Sequence, residues 1–197
     1  MFRVLKSVRG FSAAEATIVL STVSVLAAAT APAMGDYVAE ARQTRAQEDV
    51  RVIATAVSRM SGDVLSRGAI AGGIKTLQLM VSAGDAPVAG SGVDGTWALA
   101  PAAGQVGFVN DHLVSNAVGY PVTGSDLPQG IKGWHGPYLD RPLGADPWGH
   151  RYAVRFGRGA TATVVLSAGP DGVINTVDGP NGLVPGGDDV FAVLSGR

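Results

Sequence analysis

The chain contains no cysteine. That absence excludes a disulfide framework, a thiolate metal site and a cysteine nucleophile. Aromatic residues are scarce, at 6% of 197 residues, so few large side chains are available to anchor a core. Charge is scarce as well. Fifteen Lys and Arg against 16 Asp and Glu leave a net charge of −1, without the concentrated basic face that a nucleic-acid binder carries. The sequence also lacks a Gly-x-Ser-x-Gly turn, a His-Glu-x-x-His helix and a phosphate-cradling glycine loop. It therefore reads as a non-enzyme. Its length allows one ordinary domain plus an appendage.

What is present begins at the amino terminus. Residues 1–10 carry Arg3, Lys6 and Arg9 and no acid, and from Phe11 to Met34 the only charge is Glu15. Those 24 residues are long enough to cross a bilayer as a helix, which takes about 20. The positive flank predicts a cytoplasmic amino end and an exported remainder. A cleaved secretory signal is the alternative, with Ala27-Ala28-Ala29 or Ala31-Pro32-Ala33 offering small residues near a cut. Two features weigh against it. A carboxylate in hydrocarbon costs about 2.5–3.5 kcal/mol on insertion, so Glu15 marks a function. The helical pattern also continues past the apolar run, with Val50, Ile53, Val57 and Met60 forming one stripe of an amphipathic stretch over residues 35–60. A single helix over residues 11–60 would measure roughly 75 Å. Pro32 lies inside it and is expected to kink or locally melt it, because proline has no N–H to donate.

Residues 61–130 are rich in Gly and Ala and weakly patterned. Ile74, Leu77 and Val81 at helical spacing predict a short helix within Ile70–Ala83, and 86–95 is expected to be an exposed turn. Gln105–Val118 fits either a helix or an extended segment. The Asp111-His112 pair is read as surface decoration rather than a catalytic dyad.

Residues 131–197 alternate turns and short strands. Tyr152–Phe156 and Thr161–Ser167 read as strands, and Arg155 between Val154 and Phe156 suits a sheet with one buried face. Trp134 and Trp148 stand beside turns and are read as core anchors in preference to a carbohydrate platform. The last block runs Ser167-Ala168-Gly169-Pro170-Asp171-Gly172-Val173, then Asp178, then Gly186-Gly187-Asp188-Asp189. Four carboxylates within 19 residues of Gly-rich loop repel one another unless solvated or held by a cation. Composition leaves both readings open. Calcium would relieve the repulsion, taking 6–8 oxygens from carboxylates and carbonyls.

Three segments carry a resemblance. Arg9-Gly10-Phe11-Ser12-Ala13-Ala14-Glu15 resembles the processing site of the type IV pilin-like prepilin family. Gly136-Pro137-Tyr138-Leu139 and Asp146-Pro147-Trp148-Gly149-His150-Arg151-Tyr152 are similar to signatures of the type II secretion major pseudopilins. This resemblance implies a pilin-like α+β fold, with a long amino-terminal helix packed on a small antiparallel sheet. It implies a leader over residues 1–10, an assembly helix over 11–34 and a calcium-binding β domain over 131–197, and does not extend to the variable connection over 61–130. A prepilin peptidase would cut after Gly10 and methylate Phe11, and Pro32 matches a family proline. Glu15 would then neutralise the new amine of a neighbouring subunit. The implied product is an inner-membrane, single-pass subunit with a periplasmic domain. It would form a homo-oligomeric helical filament in contact with membrane lipid, an assembly platform and minor pseudopilins, and would drive protein export. The implied calcium ligands are Asp171, one or both of Asp188 and Asp189, and carbonyls near Ala168 and Val173. The spacer before Gly186 is long, so Asp178 could join them. A rival EF-hand-like reading of Asp171, Asn175 and Asp178 places Ser167 and Gly169 at poor first positions. Rival functions are a type IV pilus or minor pilin subunit and a membrane-anchored calcium-dependent binding module.

Overall fold

In a computed structural model of the protein, the described residues are 10–65, 77–93, 97, 106–122, 133–157, 162–179 and 182–194. The chain divides into two compact units, Met1–Ala41 and Arg42–Arg197. Helix α1 spans Ala13–Met60 and supplies the helical part of the first unit and the first element of the second. Leucine, alanine, arginine, glutamate and glutamine all favour helix, and no glycine interrupts α1 except Gly35. The backbone stays helical through residues 31–33, so the expected local melting at Pro32 does not occur. The Pro32 side chain lies outside the described ones.

In the first unit the apolar side chains face outward. Ile18, Leu20, Val25 and Leu26 are more than half exposed. Within α1 an 18-residue window reaches a mean hydropathy of 1.7, apolar and long enough to cross a membrane. Its polar side chains close on their own helix. Thr17 Oγ1 donates to the Ala13 carbonyl at 2.7 Å, Ser24 Oγ to Leu20 at 2.7 Å and Thr30 Oγ1 to Leu26 at 3.0 Å. Hydroxyls satisfied this way cost little in hydrocarbon.

In the second unit α1 buries the stripe expected from its spacing. Ala46, Val50, Ile53, Val57 and Met60 are at most 1% exposed, and a π-helical turn over Ser61–Leu65 adds Val64. The stripe lies against a five-stranded sheet. Its strands are β1 (Leu79–Val81), β3 (Val106–Phe108), β4 (Ala153–Arg155), β5 (Thr163–Ser167) and β9 (Val190–Leu194), in the order β3-β1-β4-β5-β9. All pairs are antiparallel except β1 with β3. Two small pairs complete the unit: β2 (Val88–Ala89) with β6 (Val173–Ile174), and β7 (Val177–Gly179) with β8 (Gly182–Val184).

Period-two alternation sorts the sheet into two faces. Met80, Val154 and Val165 join the α1 core. Leu79, Val81, Ala153, Val164 and Leu166 form a second cluster with Trp97. The one-sided sheet expected around Arg155 is therefore corrected. Arg155 pairs in register with Leu79 and Val164, and its guanidinium lies 4.6 Å from the Trp97 ring centroid. A cation over an indole face, with its stem packed on apolar neighbours, is how this sheet buries an arginine.

Two further expectations change. Leu79–Val81 is a strand where a helix was expected, and residues 70–76 of that expected helix lie outside the described ones. His112 is 4% exposed and belongs to the interior, within the short helix α2 (Val109–Leu113). Its Nδ1 makes a short hydrogen bond with the Tyr120 hydroxyl, and its carbonyl accepts the Trp134 indole N–H at 3.0 Å. Burial pushes the His112 pKa down to about 4, opposed by the charge of Asp111. Over Gln105–Val118 both readings hold in part, since β3 runs directly into α2.

Candidate functional sites at the amino terminus and the acidic loop

At the amino terminus, Gly10 and Phe11 precede α1, and Phe11 is 84% exposed. Residues 1–9 of the expected leader lie outside the described ones. Ser12 and Glu15 form a reciprocal pair: Ser12 N–H donates to Glu15 Oε2 at 2.8 Å, and Glu15 N–H donates to Ser12 Oγ at 3.2 Å. This capping box satisfies two of the donors that every helix start leaves open. It fixes the Glu15 carboxylate one residue from Phe11. The Ser-x-x-Glu spacing that signals such a cap stands in Ser12-Ala13-Ala14-Glu15, so it was legible in the sequence.

In the second unit the signature blocks serve as scaffold. Tyr138 N–H donates to the Leu113 carbonyl at 2.7 Å, and Tyr138 hydroxyl donates to Asp63 Oδ2 at 3.2 Å. Tyr152 hydroxyl donates to Asp49 Oδ2 on α1 at 2.8 Å. Asp146 is 5% exposed. Its Oδ1 accepts the Trp148 and His150 N–H groups at 3.0 and 2.8 Å, and its Oδ2 accepts Ser167 Oγ–H at 2.7 Å. The Ser167 hydroxyl accepts Gly169 N–H at 3.3 Å, while His150 Nδ1 lies 3.1 Å from the Gly169 carbonyl. Both backbone groups of Gly169 are thus held from the Asp146 turn.

The register Ser167↔Val190 between β5 and β9 carries the chain on so that Gly169 meets Asp188. Gly169 has φ +69°, and a Cβ there would fall 2.6 Å from the Asp188 carbonyl oxygen. Only glycine fits that approach. Asp171 N–H reaches Asp188 Oδ2 at 3.4 Å, and Asp171 Oδ1 caps Val173 N–H at 2.8 Å. Asp189 Oδ2 accepts three donors: Asn175 N–H at 2.8 Å, Thr176 N–H at 2.6 Å and Thr176 Oγ1–H at 2.7 Å.

The fold therefore brings Asp171, Asp188 and Asp189 to one loop cluster, with Ala168 and Val173 in the same turn. The Val173 carbonyl already accepts Asn175 Nδ2–H at 3.2 Å. The Asp178 side chain lies outside the described ones. Asp188 Oδ1 and Asp189 Oδ1 are buried and have no hydrogen-bond partner among the described residues. Burial raises the Asp189 pKa above the usual carboxylate range; the Thr176 and Asn175 donors pull it back, and the Asp188 charge adds to the rise. Two dry, unsatisfied carboxylate oxygens on adjacent residues fit a hard cation. No group of three or more His, Asp or Glu side chains gathers as a metal cage among the described residues, so a cation here would draw further oxygens from backbone carbonyls. Thr176 is not singled out by the sequence; no spacing rule points to a residue that holds a ligand in place without being a ligand.

A long amino-terminal helix on a small, mostly antiparallel sheet is a pilin-like α+β arrangement. Residues 124–183 match the family model described as "Type II secretion system (T2SS), protein G". The matched family is structural rather than enzymatic, and α1 is long and apolar enough to cross a membrane. No curated protein and no solved structure matches the chain.

Proposed function

We propose that the chain is the subunit of a periplasmic filament that drives protein export by type II secretion. The observation that carries this reading is the family match over residues 124–183, which contains both the Gly-Pro-Tyr-Leu and the Asp-Pro-Trp-Gly blocks. In this reading a prepilin peptidase removes residues 1–10 and methylates Phe11. Subunits leave the lipid of the inner membrane through an assembly platform and stack by their apolar helices, with minor pseudopilins alongside. Glu15 neutralises the α-amine of an adjoining subunit, so a charge that is costly in hydrocarbon becomes half of a pair and fixes the stacking register. The carboxyl-terminal unit faces the periplasm.

The acidic loop holds calcium in this reading, through Asp188 Oδ1, Asp189 Oδ1, Asp171, carbonyls near Ala168 and Val173, and Asp178. The ion neutralises adjacent carboxylates and ties the loop to β5 and β9. An ion that binds only the native state adds its binding free energy to stability. Chelator should therefore lower the thermal midpoint of the full chain in detergent, and an unchanged midpoint would count against the metal.

Mass spectrometry of the chain from its membranes tests the assembly reading. A terminus at methylated Phe11 is expected; one near Ala33, or an intact Met1, overturns it. Glu15→Gln keeps the cap to Ser12 and removes only the charge. It should abolish filament growth, and filaments of ordinary length from Glu15→Gln would sink the pairing.

A further inference from the structure

Thr176 is fully buried, yet its side chain is polar and lies at the join of the two limbs of the acidic loop. Its Oγ1 donates to Asp189 Oδ2 at 2.7 Å and lies 3.4 Å from Gly186 N–H, which donates to it. Its own N–H reaches the same Asp189 oxygen at 2.6 Å. Gly186 in turn accepts Asp189 N–H through its carbonyl at 3.4 Å. One side chain thus bridges the outgoing limb, through residues 175–176, and the returning limb, through residues 186–189. Asp189 Oδ2 is saturated by three donors, while Oδ1 is buried with none among the described residues.

We propose that Thr176 is a positioning residue for the calcium site: it locks the Asp189 carboxylate so that Oδ1 alone faces the ion. This rests on the calcium reading above. A carboxylate free to rotate would offer either oxygen or both, and its ordering would be charged against binding. Here the ordering is done in advance by a hydroxyl and two backbone N–H groups. Residues that hold ligands in this way typically change metal affinity by roughly 10- to 100-fold when removed. Thr176→Val keeps the branched shape and both backbone donors, and removes only the hydroxyl.

The test is calorimetric calcium titration of the full chain in detergent, paired with thermal unfolding in chelator. The wild type is expected to bind. Thr176→Val should weaken binding roughly 10- to 100-fold and lower the midpoint more in calcium than in chelator, where only the two hydrogen bonds of the hydroxyl are lost. Thr176→Ser, which restores the hydroxyl, should recover most of the affinity. Binding by Thr176→Val within twofold of the wild type would overturn the proposal and leave the calcium reading standing. A wild type that takes up no calcium would overturn both. A Thr176→Val chain that loses as much stability in chelator as in calcium makes Thr176 structural, which also defeats the proposal. If that variant does not fold, Thr176→Ser alone decides: weak binding by a folded serine variant contradicts a role carried by the hydroxyl.

Discussion

The apolar run of the first unit stays open, whereas the second unit buries an apolar stripe of the same helix and a sheet beneath it. In Met1–Ala41, Ile18, Leu20, Val25 and Leu26 are 62–68% exposed; in Arg42–Arg197, Val50, Ile53, Val57 and Leu79 are at most 1% exposed. The side chains are the same, so the difference lies in whether the chain supplies its own cover. Hydrogen bonding divides the other way. The hydroxyls of the first unit are closed locally on their own helix, whereas the second unit joins residues far apart in sequence, as Tyr152 does with Asp49. A segment whose polar groups are complete and whose apolar groups are open suits lipid or the helices of other subunits.

The sharpest test of that contrast compares two truncations. Ile53→Ala should destabilise the second unit by about 2–5 kcal/mol, the usual cost of emptying a packed core site. Leu26→Ala should leave the same urea transition within about 0.5 kcal/mol, as for a surface change. Tryptophan fluorescence of the full chain in detergent reads both, because Trp97, Trp134 and Trp148 all lie in the second unit. Equal losses would erase the distinction between a self-covering unit and an open one.

The second test is pH. His112 is buried neutral, with its pKa lowered to about 4 against an unfolded value near 6.5. Between those values the unfolded chain binds more protons than the folded one, so stability rises with pH there. The contribution is fully present above about pH 6.5 and is lost as pH falls toward about 4. Its full size is on the order of 3 kcal/mol. Urea midpoints between pH 7 and pH 4 should fall accordingly, and His112→Gln should flatten that slope. An identical slope in the variant would show that another group sets it.

Legibility in the sequence followed the same division. The α1 stripe could be read because burial there repeats at helical spacing. Charge density marks the acidic loop as a whole, while the choice of Asp171, Asp188 and Asp189 within it rests on the resemblance. What could not be read depended on long-range packing. Trp97 covers the second face of the sheet from a stretch without pattern, and without that hidden cover the alternation around Arg155 reads as one buried face. His112 was placed on the surface for the same reason: its partners Tyr120 and Trp134 are brought to it by the fold, 8 and 22 residues along the chain. Thr176 carries no motif at all. Its importance lies in a bond made across 13 residues of loop.

The smallest effect concerns the start of α1. Ser12→Ala removes the hydroxyl that accepts Glu15 N–H, and losing a serine cap costs about 1 kcal/mol. In detergent this should appear as faster amide exchange confined to the first turn, residues 13–16, with the urea transition of the second unit unmoved. The carboxylate is retained, so the proposed pairing with a neighbouring amine remains available, and the proposed filament should still grow, more slowly. Glu15→Gln reverses that outcome, since glutamine can still accept Ser12 N–H while offering no charge. The two substitutions together separate the cap from the charge. If Ser12→Ala stopped assembly as completely as Glu15→Gln, the local helix start, and not charge pairing, would be what the filament needs from Glu15.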